Sequence, residues 1–427
     1  SLQAAPVNLR ALPSWSWEPA ELAATLRDQP GFVFLDSSLT RKGAISILAW
    51  NPAEILEGRM PGTDRLDAAL RQYSIESPDM GVPLGGLIGY VEFDGRYCFG
   101  VYPRLLVFRH EDRSWWRTGE LPPLPSAPLR PRSPQIPAPL RFQPETEREA
   151  YLARIRRIQE YIAAGDIYQA CLSHRWSSPF RGNAWDFYEH LRAASPAPHS
   201  AYLHFPGRRI LSSSPELFLR MSDREIVTRP IKGTRPRFRQ LEQDQRSAFQ
   251  LQTSEKEVAE LVMITDLERN DLGKICDYGS VQVADLLRLE AYEQVFHLVS
   301  TVRGRLRPAL AHTRALAACF PGGSISGAPK KRALEIIREL ETVPRGVYTG
   351  AIGYLGFNGE SQFNIAIRTV TVENQTAHFH AGGGIVADSI PEKEWQETLD
   401  KAAGILAAAE NFNRSLPRRK RASSAAD

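Results

Sequence analysis

The sequence predicts an α+β protein of two lobes, each carrying an antiparallel β-sheet, and three observations lead there. Segments Gly86-Leu-Ile-Gly-Tyr-Val-Glu-Phe-Asp-Gly95 and Gly350-Ala-Ile-Gly-Tyr-Leu-Gly-Phe-Asn-Gly359 agree at six of ten positions. Each reads as a strand entering an Asp-Gly or Asn-Gly turn, dipeptides that favour hairpins with positive φ at both central residues. Between residues 121 and 140 eight of twenty residues are proline, which reads as an extended, semi-rigid connector. One sheet is therefore expected on each side of it. Finally, 427 residues with 42% apolar content suffice to bury a large core.

Along the chain, residues 1–120 form the expected N-terminal lobe, with helical patterns over 18–27 and 66–73 and a strand-like run Gly31-Phe32-Val33-Phe34-Leu35. The connector is 121–140. In the larger region, 141–415, Tyr151, Ile155, Ile158 and Ile162 recur at helical spacing until Gly165-Asp166 stops the helix. Residues 416–427 hold the one dense basic cluster, Arg418-Arg419-Lys420-Arg421, in a Ser/Ala-rich tail expected to be disordered. A net charge of +4 is small for this length, so a nucleic-acid partner is not expected. With no run of eighteen apolar residues and no signal-like N-terminus, the reading is a soluble cytoplasmic protein with no membrane contact. Cys98, Cys171, Cys276 and Cys319 are far apart, without zinc-type spacing, and read as ordinary thiols.

Lysine is rare here, at nine of 53 basic residues, yet Lys232 sits among arginines in Arg229-Pro-Ile-Lys232-Gly-Thr-Arg235. Unlike arginine, a lysine amine can become neutral and nucleophilic when desolvated, which makes Lys232 a catalytic candidate. Glu216 lies sixteen residues earlier across an expected hairpin, placing an acid near that amine. Two glutamate pairs, Glu257 with Glu260 and Glu394 with Glu397, have helical i, i+3 spacing, and Lys401 continues the second face. Each pair aims two carboxylates at one point, an oxygen-rich arrangement suited to a hard divalent ion such as Mg²⁺. Residues 321–330 are a glycine-rich turn before a helix pattern over 333–341, a place where backbone N–H groups favour an anion. Gly382, Gly383 and Gly384 follow a strand-like run over 376–381 and would let backbone approach a ligand closely. His297 and Arg368 stand in apolar, strand-like surroundings, and a buried arginine needs an anion.

Together these segments resemble the chorismate-utilising enzymes. The resemblance is carried by Gly165-Asp-Ile-Tyr-Gln169, Ser214-Pro-Glu216, Pro230-Ile-Lys-Gly-Thr234, Asp266-Leu-Glu-Arg-Asn-Asp-Leu-Gly273, residues 321–330, 363–369 and 381–386, and the hairpin near 85–94. It implies two packed antiparallel sheets, a β-sandwich core with helices outside, like component I of anthranilate synthase. It implies chorismate as substrate and Mg²⁺ as cofactor, held by Glu260 and Glu397 with Glu257 and Glu394 contributing directly or through water. His297, Ser324, Tyr348, Arg368, Gly383, Gly384 and Lys401 would surround the substrate. Ser324 departs from the threonine common in anthranilate synthases but keeps a hydroxyl; Leu261 departs from a frequent histidine.

Within the family, lysine rather than alanine in the Pro-Ile-Lys-Gly-Thr segment resembles aminodeoxychorismate synthase component I. That resemblance implies para-amination toward para-aminobenzoate and folate: Lys232 attacks C2 covalently, Glu216 acts as general acid, and ammonia enters at C4. The alternatives are anthranilate synthase component I or another ortho-aminating enzyme, and a non-catalytic glutaminase-binding subunit. No cysteine sits in a Gly-x-Cys-x-Gly elbow, so a separate glutamine amidotransferase is the expected partner, in a heterodimer. Phe34-Leu-Asp-Ser-Ser38 departs from the Leu-Leu-Glu-Ser run of tryptophan-regulated relatives, so tryptophan inhibition is not expected.

Overall fold

A computed structural model describes residues 9–39, 43–76, 81–124 and 138–417. The centre of the proline-rich connector and nearly all of the basic tail lie outside them. The two echoing segments do form hairpins, but side by side in one sheet. Strand Gly86–Val91 pairs antiparallel with Ala351–Gly356, Gly89 opposite Gly353. A Cβ on either glycine would come within 1.9 Å of a carbonyl oxygen of its own hairpin partner, Cys98 or Gln362. The shared Gly-Tyr pattern thus reflects close backbone approach in adjacent strands. At the turns only Gly95 and Gly359 have positive φ. The Gly95 N–H donates to the Glu92 carbonyl, the pattern of a type I turn closed by a left-handed glycine rather than the expected two-residue turn.

Each sheet draws on both sides of the connector, which corrects the expectation of one sheet per side. In the twelve-stranded sheet Arg10–Ala11, Ser114–Thr118, Leu105–Arg109, Ile45–Ala49 and Val33–Asp36 run up to His199–Phe205. There the C-terminal strands continue with Arg208–Ser214, Thr369–Glu373, Thr376–Ile385 and Gln169–Pro179. The ten-stranded sheet runs from Ile231–Pro236 through Val295–Arg305, Glu225–Arg229, Leu217–Ser222 and Glu360–Asn364 to Ala351–Gly356, then into the N-terminal Gly86–Val91, Arg96–Tyr102 and Ile55–Arg59.

The sheets face one another across an apolar layer in which Val33, Ile47 and Leu203 of the first meet Ile88, Ile352 and Tyr354 of the second. Helices cover the outer faces. Leu22, Trp185, Ile405 and Phe412 pack on the first sheet, and Leu66, Leu272 and Leu316 on the second. The amphipathic pattern around Tyr151 forms helix Arg148–Ala163, ended at Gly165 with φ +82°. Both glutamate pairs lie on helices, Glu255–Gly273 and Pro391–Ser415. The first starts where Ser254 accepts a hydrogen bond from the Glu257 N–H, a regular N-cap. Among the described residues no helix is long and apolar enough to cross a membrane.

Candidate active site

A cavity of about 660 Å³ opens where one end of each sheet meets the two glutamate helices. Of the residues singled out in the sequence, Lys232, Glu216, Glu257, Glu260, His297, Ser324, Tyr348, Arg368, Gly383, Gly384, Glu397 and Lys401 line it. Glu394 is buried beside it and reaches the same cluster through Lys256. The volume suits a ligand of about ten to twenty heavy atoms, within the usual range of small-molecule sites.

Lys232 projects from Ile231–Pro236, where a bulge at Gly233, φ +77°, shifts the register against Val295–Arg305. A Cβ on Gly233 would meet the Glu257 carboxylate at 3.0 Å, so glycine lets strand and helix close together. The Lys232 amine stands 3.8 Å from Glu260 and 3.5 Å from the Ser324 carbonyl. Beyond the bulge, Thr234 is hydrogen-bonded to His297 Nδ1 at 3.1 Å, which fixes that imidazole at the cavity wall.

Glu216 is 4% exposed, and burial pushes its carboxyl up to about 7, with the nearby Ser324 hydroxyl and Lys232 opposing only in part. Its Oε1 and the Ser324 Oγ are buried and make no regular hydrogen bond. A buried carboxyl near neutrality is what a general acid at physiological pH requires. Arg368 has φ +49° and no carboxylate partner among the described residues; burial lowers its pKa. Thr349, also on the wall, has φ +60°. Two non-glycine residues in the left-handed region at one cavity are the kind of local strain that clusters at functional sites.

The acidic wall is held together by lysines. Lys256 donates to Glu394 Oε1 at 3.0 Å and Glu397 Oε2 at 3.1 Å, and lies 3.9 Å from Glu260. Lys401 donates to the Gly382 carbonyl at 2.7 Å and pairs with Glu397 at 2.8 Å. Burial opposes the ionised form of Glu397, but Lys401 and Lys256 outweigh it and hold the carboxyl at about 2. Burial raises Glu260. Glu257 turns instead to Arg235, 3.5 Å away. Among the described residues no three His, Cys, Asp or Glu side chains are gathered as a metal site. Glu260 Oε1 and Glu394 Oε2 are nonetheless buried carboxylate oxygens that accept no hydrogen bond.

The glycine run lies inside strand Thr376–Ile385 rather than beyond a strand ending at 381. Its glycines are required by crowding: a Cβ on Gly384 would fall 1.9 Å from Gln169 Nε2, and one on Gly383 3.0 Å from Glu397. Loop 321–330 lies at the same wall. It also presents carbonyls to cations, Ser324 to Lys232 and Ile325 to Arg345 at 3.0 Å, beside the N–H groups expected to favour an anion.

Sequence reasoning passed over Lys256, Arg345, Thr349 and His380. Arg345 is fully buried, bonded through two nitrogens to Glu341 at 2.8 Å and donating to the Cys171 carbonyl at 3.0 Å. Only the i, i+4 spacing of Glu341 and Arg345 could have signalled it. Lys256 was legible as the neighbour of Glu257, while no pattern marks His380. A separate cleft of about 40 Å³ beside Leu35, Asp36 and Ser37 holds a water or two at most, far less than an indole.

The profile of the chorismate binding enzyme family matches residues 89–407, three quarters of the chain. The chain belongs to the chorismate-binding enzymes. Component 1 of anthranilate synthase from Thermus thermophilus is 45% identical over 301 residues, covering 70% of this chain and 64% of that one. The component from Methanothermobacter thermautotrophicus is 38% identical over 368 residues, covering 80% and 78%. For most such relatives the match covers only 51–64% of their length. The crystal structure of anthranilate synthase component I from Streptococcus pneumoniae superposes with a TM-score of 0.75 at 32% identity, covering 86% of this chain and 93% of that one. The menaquinone-specific isochorismate synthase MenF from Escherichia coli, at 20% identity and TM-score 0.74, shares the fold.

Within the chorismate-binding enzymes these relatives overturn the para-amination reading. Proteins 38–47% identical over hundreds of positions are named anthranilate synthase component 1, which outweighs one lysine in a five-residue segment. In this member of the family Lys232 sits at ion-pair distance from Glu260, as part of the charged wall.

Proposed function

We propose that the chain is an anthranilate synthase component I: it aminates chorismate at C2 with ammonia and releases pyruvate. The observation that carries this reading is the 38–47% identity to anthranilate synthase components across the cavity-bearing region. The cavity's chemistry supports it. Arg368 lacks an anion and suits a carboxylate of this dicarboxylate substrate. Ammonia adds to C2, the two ring double bonds shift, and the C4 hydroxyl leaves as water with a proton from Glu216, whose carboxyl near 7 keeps that proton available. Loss of the C2 proton and of the C3 enolpyruvyl group as pyruvate then makes the ring aromatic. His297, steadied by Thr234, is a cavity imidazole of the type that takes such a proton.

Mg²⁺ fits the buried oxygens of Glu260 and Glu394 that accept no hydrogen bond, since this ion needs only one or two carboxylates and keeps its waters. Glu260 and Glu397 would hold it, with Glu257 and Glu394 directly or through water, and it would supply charge neutralisation for a substrate carboxylate. Ammonia would come from a glutamine amidotransferase subunit. All four cysteines are buried, and burial raises their thiols, Cys98 to about 12 and Cys276 to about 11, which suits none of them as a glutaminase nucleophile.

Incubating the purified chain with chorismate, Mg²⁺ and ammonium should yield anthranilate fluorescence and equimolar pyruvate. EDTA should abolish both, and glutamine should replace ammonium only after an amidotransferase is added. Accumulation of a non-aromatic amino product without pyruvate would overturn the assignment.

A further inference from the structure

His380 is an alternate-position residue of strand Thr376–Ile385, on the side chain face it shares with His378. It borders the cavity and is 4% exposed. Its ring stacks on that of Tyr348, centroids 5.1 Å apart and planes 7° from parallel. Neither Nδ1 nor Nε2 has a hydrogen-bond partner. Burial, with His378, Arg345 and Arg175 nearby, drives its pKa well below the ordinary range, so the ring is neutral. A neutral imidazole offers one N–H and one lone pair. Buried polar atoms with both needs unmet are rare in folded proteins, and one at a cavity wall implies that the occupant meets them.

The geometry points to His380 as a substrate-contacting residue that hydrogen-bonds an uncharged oxygen of the ligand, hydroxyl or ether. The inference rests on chorismate occupying the cavity. The carboxylates have cationic partners elsewhere, in Arg368 and the lysine-bearing wall, whereas a neutral ring that can both donate and accept matches the hydroxyl and ether substituents of the reduced ring.

The test is equilibrium binding of chorismate and of benzoate, which keeps the ring carboxylate but has neither uncharged oxygen, to wild type, His380→Phe and His380→Gln, all with Mg²⁺. Circular dichroism melting checks folding. His380→Phe keeps the stack and loses the nitrogens; it should weaken chorismate about ten-fold and raise its KM correspondingly. His380→Gln, which can donate and accept, should stay within about three-fold of wild type, and benzoate should bind all three alike. If His380→Phe does not fold, His380→Met serves as the variant without ring nitrogens. Unchanged chorismate binding by the nitrogen-free variant overturns the inference, as does an equal loss for benzoate. If wild type itself fails to bind chorismate, the functional reading falls and this inference with it; a failure confined to the variants removes the inference alone.

Discussion

Glu216 carries its proton near neutrality because burial outweighs the cations around it, and this gives its reaction a pH signature. In its proposed role as the acid that protonates the leaving hydroxyl, it must be protonated when substrate is bound. kcat should therefore fall as pH rises through about 7, the alkaline limb being that of a raised carboxyl. Glu216→Gln should lower kcat by about 10²–10⁴ and remove that limb, with the melting temperature preserved. An alkaline limb that survives in the variant would assign the titration to another group. Lys232 leads to a different expectation. If amination is direct at C2, Lys232→Ala should still make anthranilate with at most about a ten-fold loss, the size of one charged contact. Intact-mass spectrometry of wild type quenched with chorismate and Mg²⁺, without ammonia, should show no added mass. Residues with a local signature, such as Ser-Pro-Glu216 or the i, i+3 glutamates, were legible in the sequence. His380 and Arg345 were not, because their importance comes from a stacking partner and from carbonyls on distant segments.

The helix Glu255–Gly273 shows how an element built to hold a site accepts an internal charge problem. Its outward end presents Glu257 and Glu260 to the cavity, while Glu268, 5% exposed, is buried with a hydrogen bond from Thr228 at 2.8 Å. Burial, reinforced by Glu216, pushes Glu268 up to about 8. The folded carboxyl thus keeps a proton that an unfolded glutamate loses near its ordinary value of 4.5. The folded state binds more protons, so stability is full below about 4.5 and declines as pH rises toward 8, by at most about 5 kcal/mol. Glu268→Gln keeps an acceptor for Thr228 without the ionisation. Urea melts at pH 6 and pH 9 should differ less in the variant than in wild type; an unchanged difference would move the effect to another buried acid. Helices like this one were readable from apolar spacing and caps. The glycines of strand Thr376–Ile385 misled, because glycine normally breaks a strand; here the strand continues through them in its antiparallel pairing with Gln169–Pro179, and the crowding by Leu172, Gln169 and Glu397 explains why they are glycine.

At the scale of the whole molecule, the proline-rich connector suggested one sheet on each side of it, and both sheets instead draw strands from both sides. A sequence echo reports that two strands have similar neighbours, and adjacent strands of one sheet meet that condition as well as matching strands of two sheets. Two antiparallel seams join the halves: Val33–Asp36 against His199–Phe205, and Gly86–Val91 against Ala351–Gly356. Every residue of both strands in the second seam is buried. Separating the halves would therefore expose two apolar strand edges and open the layer shared by Ile88, Ile352 and Leu203. A fragment of residues 138–417 alone should lack a cooperative melting transition and aggregate, despite holding all the residues assigned to the cavity. Co-expression with residues 9–124 should restore a soluble complex that melts cooperatively and binds chorismate. A fragment that melts cooperatively and binds chorismate by itself would show that the seams dock two independent domains.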